Sequence, residues 1–362
     1  MNKQEIINNF DPSQPGLADE SIFGLPFTAL QSEIIIIPVP WEVTVSYGAG
    51  ASLGPEAILN ASFQVDLHHQ EFPELWKLGI YLDLNEQTQK WENDSAKYKA
   101  LAQPIIQALE RGEVIANNPS LQSDLDKINI VCKDLKNEVK EKTLFWMNQG
   151  KQVALLGGDH STPLGYYEAL ATKHDDFGIL HLDAHLDMRI AYEGFQYSHA
   201  SIMYNALQIP QMSKIVQVGI RDFCKQEVET VLEQGNRVLV HTDMDMKAAT
   251  FKGQTWEQQC KIIIASLPQK VTISFDIDGM YSWYCPNTGT PVPGGFSFEQ
   301  ATYLLSELGK SGKEIIGFDL VEVAPGDDDW DGNVGARMLY HLCGVLAKNN
   351  GLEVGEKIIF NK

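Results

Sequence analysis

Short runs of apolar residues, each closed by turn-forming residues, recur along the whole chain. Residues 34–37, 78–82, 152–156, 178–182, 214–218, 237–240, 271–275 and 315–320 have the length and composition of strands. Most are continuous rather than alternating, the pattern of strands covered on both faces. Between many of them the period changes to that of a helix. Residues 135–149 place Leu135, Val139 and Trp146 on one side and stop at Gly150. Residues 162–172 follow Ser161, which is suited to cap them, and set Leu164, Tyr167 and Leu170 as the buried side. Strand alternating with helix predicts an α/β fold, a parallel sheet between helices.

One stretch departs from this rhythm. Residues 85–129 are polar, rich in Gln, Asn, Glu and Lys, with helical patches such as 98–111. They read as an insertion packed on the rim of a single domain spanning 1–362, which begins with an N-terminal extension of roughly 30 residues.

Composition narrows the function classes. The 362 residues suffice for a full core, and 44% hydrophobic with 21% charged residues is the balance of a globular protein. The net charge of −20 makes nucleic acid and anionic membrane poor partners and favours cationic small molecules. Ordinary solubility explains the same number. Five cysteines without a CxxC spacing suggest neither a disulfide framework nor a zinc ribbon, so a reducing cytoplasm is expected. Residues 1–24 are polar and lack a signal-peptide pattern, and no apolar run approaches the ~20 residues of a membrane span.

Three strings carry chemistry: Gly157-Gly158-Asp159-His160-Ser161, Asp183-Ala184-His185-Leu186-Asp187 and Ser274-Phe275-Asp276-Ile277-Asp278. Each lies at the end of an expected strand, where ligands gather in open parallel sheets. Residues two apart in an extended segment point the same way, which pairs Asp183 with His185 and Asp276 with Asp278. Imidazole mixed with carboxylate suits Mn²⁺, Fe²⁺, Co²⁺, Ni²⁺ or Zn²⁺ better than Ca²⁺ or Mg²⁺. The absence of thiolates in these strings argues against a structural zinc site. Two such cations ~3.5–4 Å apart can make hydroxide from water near neutral pH. Taken singly, each string is a solvated strand end or a capped turn. Three of them, all acidic and all at strand ends, are hard to attribute to coincidence.

Together the strings resemble the three signatures of the ureohydrolase (arginase/agmatinase) family. The resemblance runs from about residue 34 to the C-terminus and includes Gly54-Pro55-Glu56-Ala57-Ile58 and the 288–295 loop. It implies a three-layer α/β/α fold with a mainly parallel, about eight-stranded sheet, and a pair of Mn²⁺ ions in each subunit. One metal would take His160, Asp183, Asp187 and Asp276, the other Asp183, His185, Asp276 and Asp278, leaving Asp159 over. The resemblance also implies that Glu322 pairs with a substrate guanidinium and that His199 moves a proton to the departing amine, with Asp187 counted among the catalytic groups. Homo-oligomers, trimers or hexamers, are expected on the same ground.

Departures from the family pattern bear on the substrate. Tyr281-Ser282-Trp283-Tyr284-Cys285 replaces the usual continuation into Asp-Pro, and Leu59 stands where Arg is common. Thr44, Tyr47, Trp283, Tyr284 and Trp330 are therefore expected to wall an aromatic pocket for a small guanidino compound. The 188–195 loop lacks the Asn/Ser/Thr cluster expected for holding an amino-acid end, which demotes arginine and leaves agmatine-like compounds or free guanidine. For free guanidine, resemblance to guanidine hydrolases would permit Ni²⁺. The rival readings are arginase or formimidoylglutamase activity, a single-zinc deacetylase-like enzyme and a non-catalytic metal-binding protein.

Overall fold

The computed structural model describes residues 2–14, 16 and 21–360. Eight strands form one sheet: β1 (Ile34–Val39), β2 (Ile80–Leu82), β3 (Gln152–Gly157), β4 (Phe177–Leu182), β5 (Met212–Ile220), β6 (Val238–Thr242), β7 (Lys270–Asp276) and β8 (Glu314–Val321). Their order is β2-β1-β3-β8-β7-β4-β5-β6, and every pairing is parallel. The helices are α1 (Lys3–Asn9), α2 (Gly54–Ser62), α3 (Glu86–Glu110), α4 (Pro119–Met147), α5 (Leu164–Leu170), α6 (Ile202–Ala206), α7 (Lys225–Gln234), α8 (Asp243–Phe251), α9 (Trp256–Ala265), α10 (Phe298–Lys310) and α11 (Trp330–Asn349). All eight apolar runs are strands, with edges within a few residues of the expected ones.

Continuous hydrophobicity follows from burial on both faces. Ile34 and Ile36 join one core with side chains of α2, α9, α10 and α11, while Ile35 and Ile37 join a second core with α3, α4, α5 and α6. The strand's two-residue period sends neighbours to opposite faces, so this is a three-layer α/β/α sandwich.

Two expectations change. The polar segment 85–129 is not a rim insertion: it forms α3 and the first part of α4, and Trp91, Ala102, Ile105, Ile106 and Ile128 are buried in the second core. Its apolar stripe is thin because α3 and α4 share one cover between them, leaving their outer faces polar. Ser161 does not cap α5. The N-cap is Pro163, and the Ser161 hydroxyl donates to Asp159 instead. Of the expected N-terminal extension, α1 and the 21–30 stretch are described, and residues 1, 15 and 17–20 lie outside the described residues.

Candidate active site

The middle of the sheet builds the site. β3, β8, β7 and β4 are consecutive neighbours, and all four run the same way, so their carboxyl ends emerge side by side. Register keeps those ends level. Leu182 pairs with Phe275 and Asp276 with Val321, which sets Asp183, Asp276 and Glu322 along one edge. Gly158 continues β3 across that edge. A Cβ there would lie 2.1 Å from the Trp41 carbonyl, so only glycine fits.

Turns, rather than extended chain, aim the carboxylates. β7 ends at Asp276, residues Ile277–Gly279 form a 3₁₀ turn, and the Asp276 carboxylate accepts the Asp278 N–H at 2.8 Å. Asp183 accepts the His185 N–H in the same way beyond β4. The expected two-residue pairings therefore arise from capped turns. Asp187 and Glu322 sit at φ 54° and 64°, a left-handed conformation that costs about 1 kcal/mol or more for a side-chain-bearing residue. For Glu322, hydrogen bonds from its N–H to the Gly158 carbonyl (2.8 Å) and from Thr288 to its own carbonyl (2.8 Å) hold that strain.

All six expected ligand positions meet. His160 Nδ1 lies 3.1 Å from carboxylate oxygens of Asp183, Asp187 and Asp276. His185 Nδ1 lies 3.4 Å from Asp183 and 3.0 Å from Asp278. Donor atoms ~2.2 Å from one ion and at right angles around it would sit ~3.1 Å apart, so the spacing fits a coordination shell. His160 is buried, and its Nδ1 has no hydrogen-bond partner. Its other nitrogen, Nε2, meets Ser274 at 2.9 Å; Ser274 donates to Asp319 at 2.9 Å, as does Tyr167 at 2.8 Å. With the Ser274 proton committed to Asp319, Nε2–H must be the donor, and the lone pair of Nδ1 is left for a cation. Without one, an orphaned buried group costs roughly 1–3 kcal/mol.

His181, which the sequence reading passed over, is wholly buried and lies 2.7 Å from Asp183 through Nε2. Its Nδ1 faces the Gln217 amide nitrogen at 2.9 Å, so Nε2–H donates to Asp183 and no lone pair remains for a metal. It orients Asp183. The signal was available as the histidine two residues before the second string.

Charge crowding shows in the proton affinities. Burial, reinforced by Asp183, pushes Asp187 up to about 7. Burial with Asp278 and Asp183 raises Asp276, and burial with Asp159 raises Glu322. Burial opposes ionisation of Asp183 too, but His181, His160 and His185 outweigh it and hold this carboxyl far below its usual range. Such divergence marks like charges packed out of water, a situation that cations relieve.

Above the carboxylates lies a cleft of about 390 Å³ lined by Tyr47, His160, His185, Asp187, His199, Asp276 and Glu322 among others. Glu322 turns Oε1 to the His160 N–H at 2.8 Å. His199 is half-buried, with its ring edge-on to Tyr192. Burial, then the neighbouring His185 and His160, lowers it to about 4, so it is neutral at pH 7. Of the expected aromatic walls, Tyr47 alone lines this cleft. Thr44 is buried, Tyr284 packs against the first core, and Trp283 stacks on Tyr281 while its carbonyl accepts the Trp330 indole N–H. The cleft's other rings are Tyr192 and Phe223, accompanied by Arg189.

The arginase family profile matches residues 32–344. The chain belongs to the arginase family. This arginase-family chain is 27% identical over 328 residues to the N(1)-aminopropylagmatine ureohydrolase of Thermus thermophilus, covering 90% of the chain and 92% of that protein. It is 26% identical to the agmatinase of Bacillus anthracis, covering 83% and 87%. The agmatine ureohydrolase structure of Thermoplasma volcanium superposes with a TM-score of 0.68 at 21% identity, covering 95% and 98%, which matches the fold. The chain is thus an agmatinase-like ureohydrolase, a metal-dependent hydrolase of guanidino compounds. Single-zinc deacetylase chemistry and a non-catalytic role are not favoured.

Proposed function

We propose that this arginase-family enzyme holds two divalent cations, Mn²⁺ or Ni²⁺, and hydrolyses a small guanidino compound, agmatine-like or guanidine itself, to urea and an amine or ammonia. The observation that carries the reading is His160 Nδ1, buried, unpartnered and 3.1 Å from three carboxylates. His160, Asp183, Asp187 and Asp276 would hold one cation and Asp183, His185, Asp276 and Asp278 the other. When bound, such a pair lowers the pKa of water toward neutrality and supplies charge for the developing tetrahedral centre.

The protein's own groups do the rest. Glu322, its Oε1 engaged by the His160 N–H, receives the planar guanidinium and fixes the plane of attack. Asp187 lines the same cleft and is proposed to help stabilise the reacting centre. His199, neutral at rest, accepts a proton and passes it to the departing nitrogen. The enzyme is expected to work as a cytoplasmic homo-oligomer, a trimer or hexamer; no helix among the described residues is long and apolar enough to cross a membrane.

A urea-release screen over guanidine, agmatine, guanidinobutyrate, guanidinopropionate and arginine, with Mn²⁺ and Ni²⁺ compared, tests the proposal. Urea from guanidine or agmatine with either metal, and none after chelation, is the expected result. No urea from any of them in a protein shown to carry two metals per chain would sink it.

A further inference from the structure

Among the described residues, the side chains lining the strand-end cleft include one permanent cation, Arg189. It lies two residues beyond Asp187, on the 188–195 loop, whose Tyr192 also lines the cleft. Three contacts fix it. Its backbone N–H donates to the Ala200 carbonyl at 3.0 Å, its guanidinium carbon lies 4.5 Å from the Tyr192 ring centre, and its Nε is 3.8 Å from Glu227 Oε2. Glu227 is buried and itself anchored by the N–H groups of Met188 (3.2 Å) and Cys224 (2.9 Å). Stacking on one face and an acid at one edge leave the guanidinium little freedom. Its two Nη groups have no hydrogen-bond partner among the described residues, and the side chain keeps 33% of its exposure. Both members of the Arg189–Glu227 pair line the cleft, but Glu227 keeps only 5% of its side-chain exposure, so the positive end is the more open of the two.

We infer that Arg189 is a specificity-determining residue that makes the cleft select against guanidino compounds bearing a cationic tail and in favour of those with a neutral, absent or anionic one. The inference rests on the proposed ureohydrolase reading, in which the guanidinium enters beside Glu322 and any tail leads outward, and it narrows that reading by placing guanidine itself ahead of agmatine-like substrates. A tail ammonium would then approach a fixed like charge in a half-dry cleft, where the repulsion is large enough to cost about tenfold or more in affinity. Glu227, buried in the lining of the same cleft, offsets part of the charge. Asp222, the exposed carboxylate on the same cleft, is 67% exposed at its side chain and weakened by solvent. A carboxylate tail would meet two free Nη donors in the geometry for paired hydrogen bonds.

Three compounds of equal chain length isolate the charge: agmatine, butylguanidine and 4-guanidinobutyrate. Metal-loaded enzyme is assayed for kcat/KM of urea release or, for a compound not turned over, for its competition constant; calorimetry gives the same order by binding alone. Agmatine is expected to be at least about tenfold poorer than butylguanidine, with guanidinobutyrate equal to or better than butylguanidine. Arg189→Met should bring agmatine and butylguanidine within about threefold, while Arg189→Lys, keeping the charge, should preserve the wild-type order. A wild-type preference for agmatine over butylguanidine, or a ratio unmoved by Arg189→Met in a variant with an unshifted melting temperature, overturns the inference. Absence of urea from every compound with the charge order intact in calorimetry would instead strike the ureohydrolase reading and leave this one standing.

Discussion

Two clefts of this molecule gather histidines and acids, and they treat them in opposite ways. The larger, about 480 Å³, lies between the 65–71 loop, α10 and α11, and is lined by His69, Glu71, Ser306, Lys310, His341 and Lys357 among others. Among the described residues, none of its lining side chains has a buried polar atom without a partner. Glu71 accepts from Ser306 at 2.8 Å, with Lys357 at 3.3 Å and Lys310 at 4.0 Å. His341 Nε2 meets the Thr302 carbonyl at 3.2 Å. In the smaller cleft over the strand ends, His160 Nδ1 is buried without a partner, and four ligand carboxylates crowd two imidazoles. Size does not mark the reacting site. A buried imidazole nitrogen left without a partner among three carboxylates does, because such a group persists only where something else supplies its partner.

If that contrast is right, removing a carboxylate should have opposite effects on activity and on metal-free stability at the strand ends. Asp276→Asn keeps the cap on the Asp278 N–H but loses a charge shared by both metal positions. Urea release should fall by about a thousandfold or more, while the metal-free protein melts at the same temperature or a few degrees higher as like-charge repulsion eases. A metal-free variant melting well below wild type would mean the carboxylate cluster is structural. A weaker effect is expected one layer out. Ser274→Ala removes the acceptor of His160 Nε2–H, and metal affinity measured by competition with a chelating dye should drop about 10–100-fold while the fold is kept. Unchanged affinity would show that His160 is oriented by packing alone.

The smallest effect belongs to the other cleft and touches stability only. Burial, then His69, lowers His341 to about 4. A histidine depressed in the folded state takes up more protons when unfolded, so its contribution is full above the unfolded pKa of ~6.5 and is lost as pH falls toward 4. At pH 5 that loss is about 2 kcal/mol. Urea denaturation at pH 7 and pH 5 should show His341→Gln losing about that much less than wild type between the two conditions. Equal losses would mean that His341 is protonated in the folded protein.

Much of this was legible before any coordinates. Eight strands could be read from continuous apolar runs because doubly covered strands have no polar face to interrupt them. The three strings could be read because metal chemistry restricts residue type more tightly than packing does. What escaped reading was context-dependent. The α3–α4 cover looked like an insertion because two helices shared one buried surface and each kept a polar outside. Trp283, Tyr284 and Trp330 looked like pocket walls because an aromatic run has the same composition whether it faces a ligand or its neighbours. His181, Ser274 and Asp319 were assigned no role because orienting residues are ordinary strand residues until their partners are known.

By itself the sequence determined which side chains end each strand, and with them an oxygen-and-nitrogen donor set suited to transition-metal ions and to hydrolysis. Only the tertiary structure decided that β3, β8, β7 and β4 are neighbours, although 162 residues separate His160 from Glu322. Strand order and register depend on how helices cover both faces of the sheet, a property of the packed whole that no local pattern encodes. The same packing set Arg189 against Tyr192 and Glu227, and so fixed the sign of charge that an incoming tail must meet.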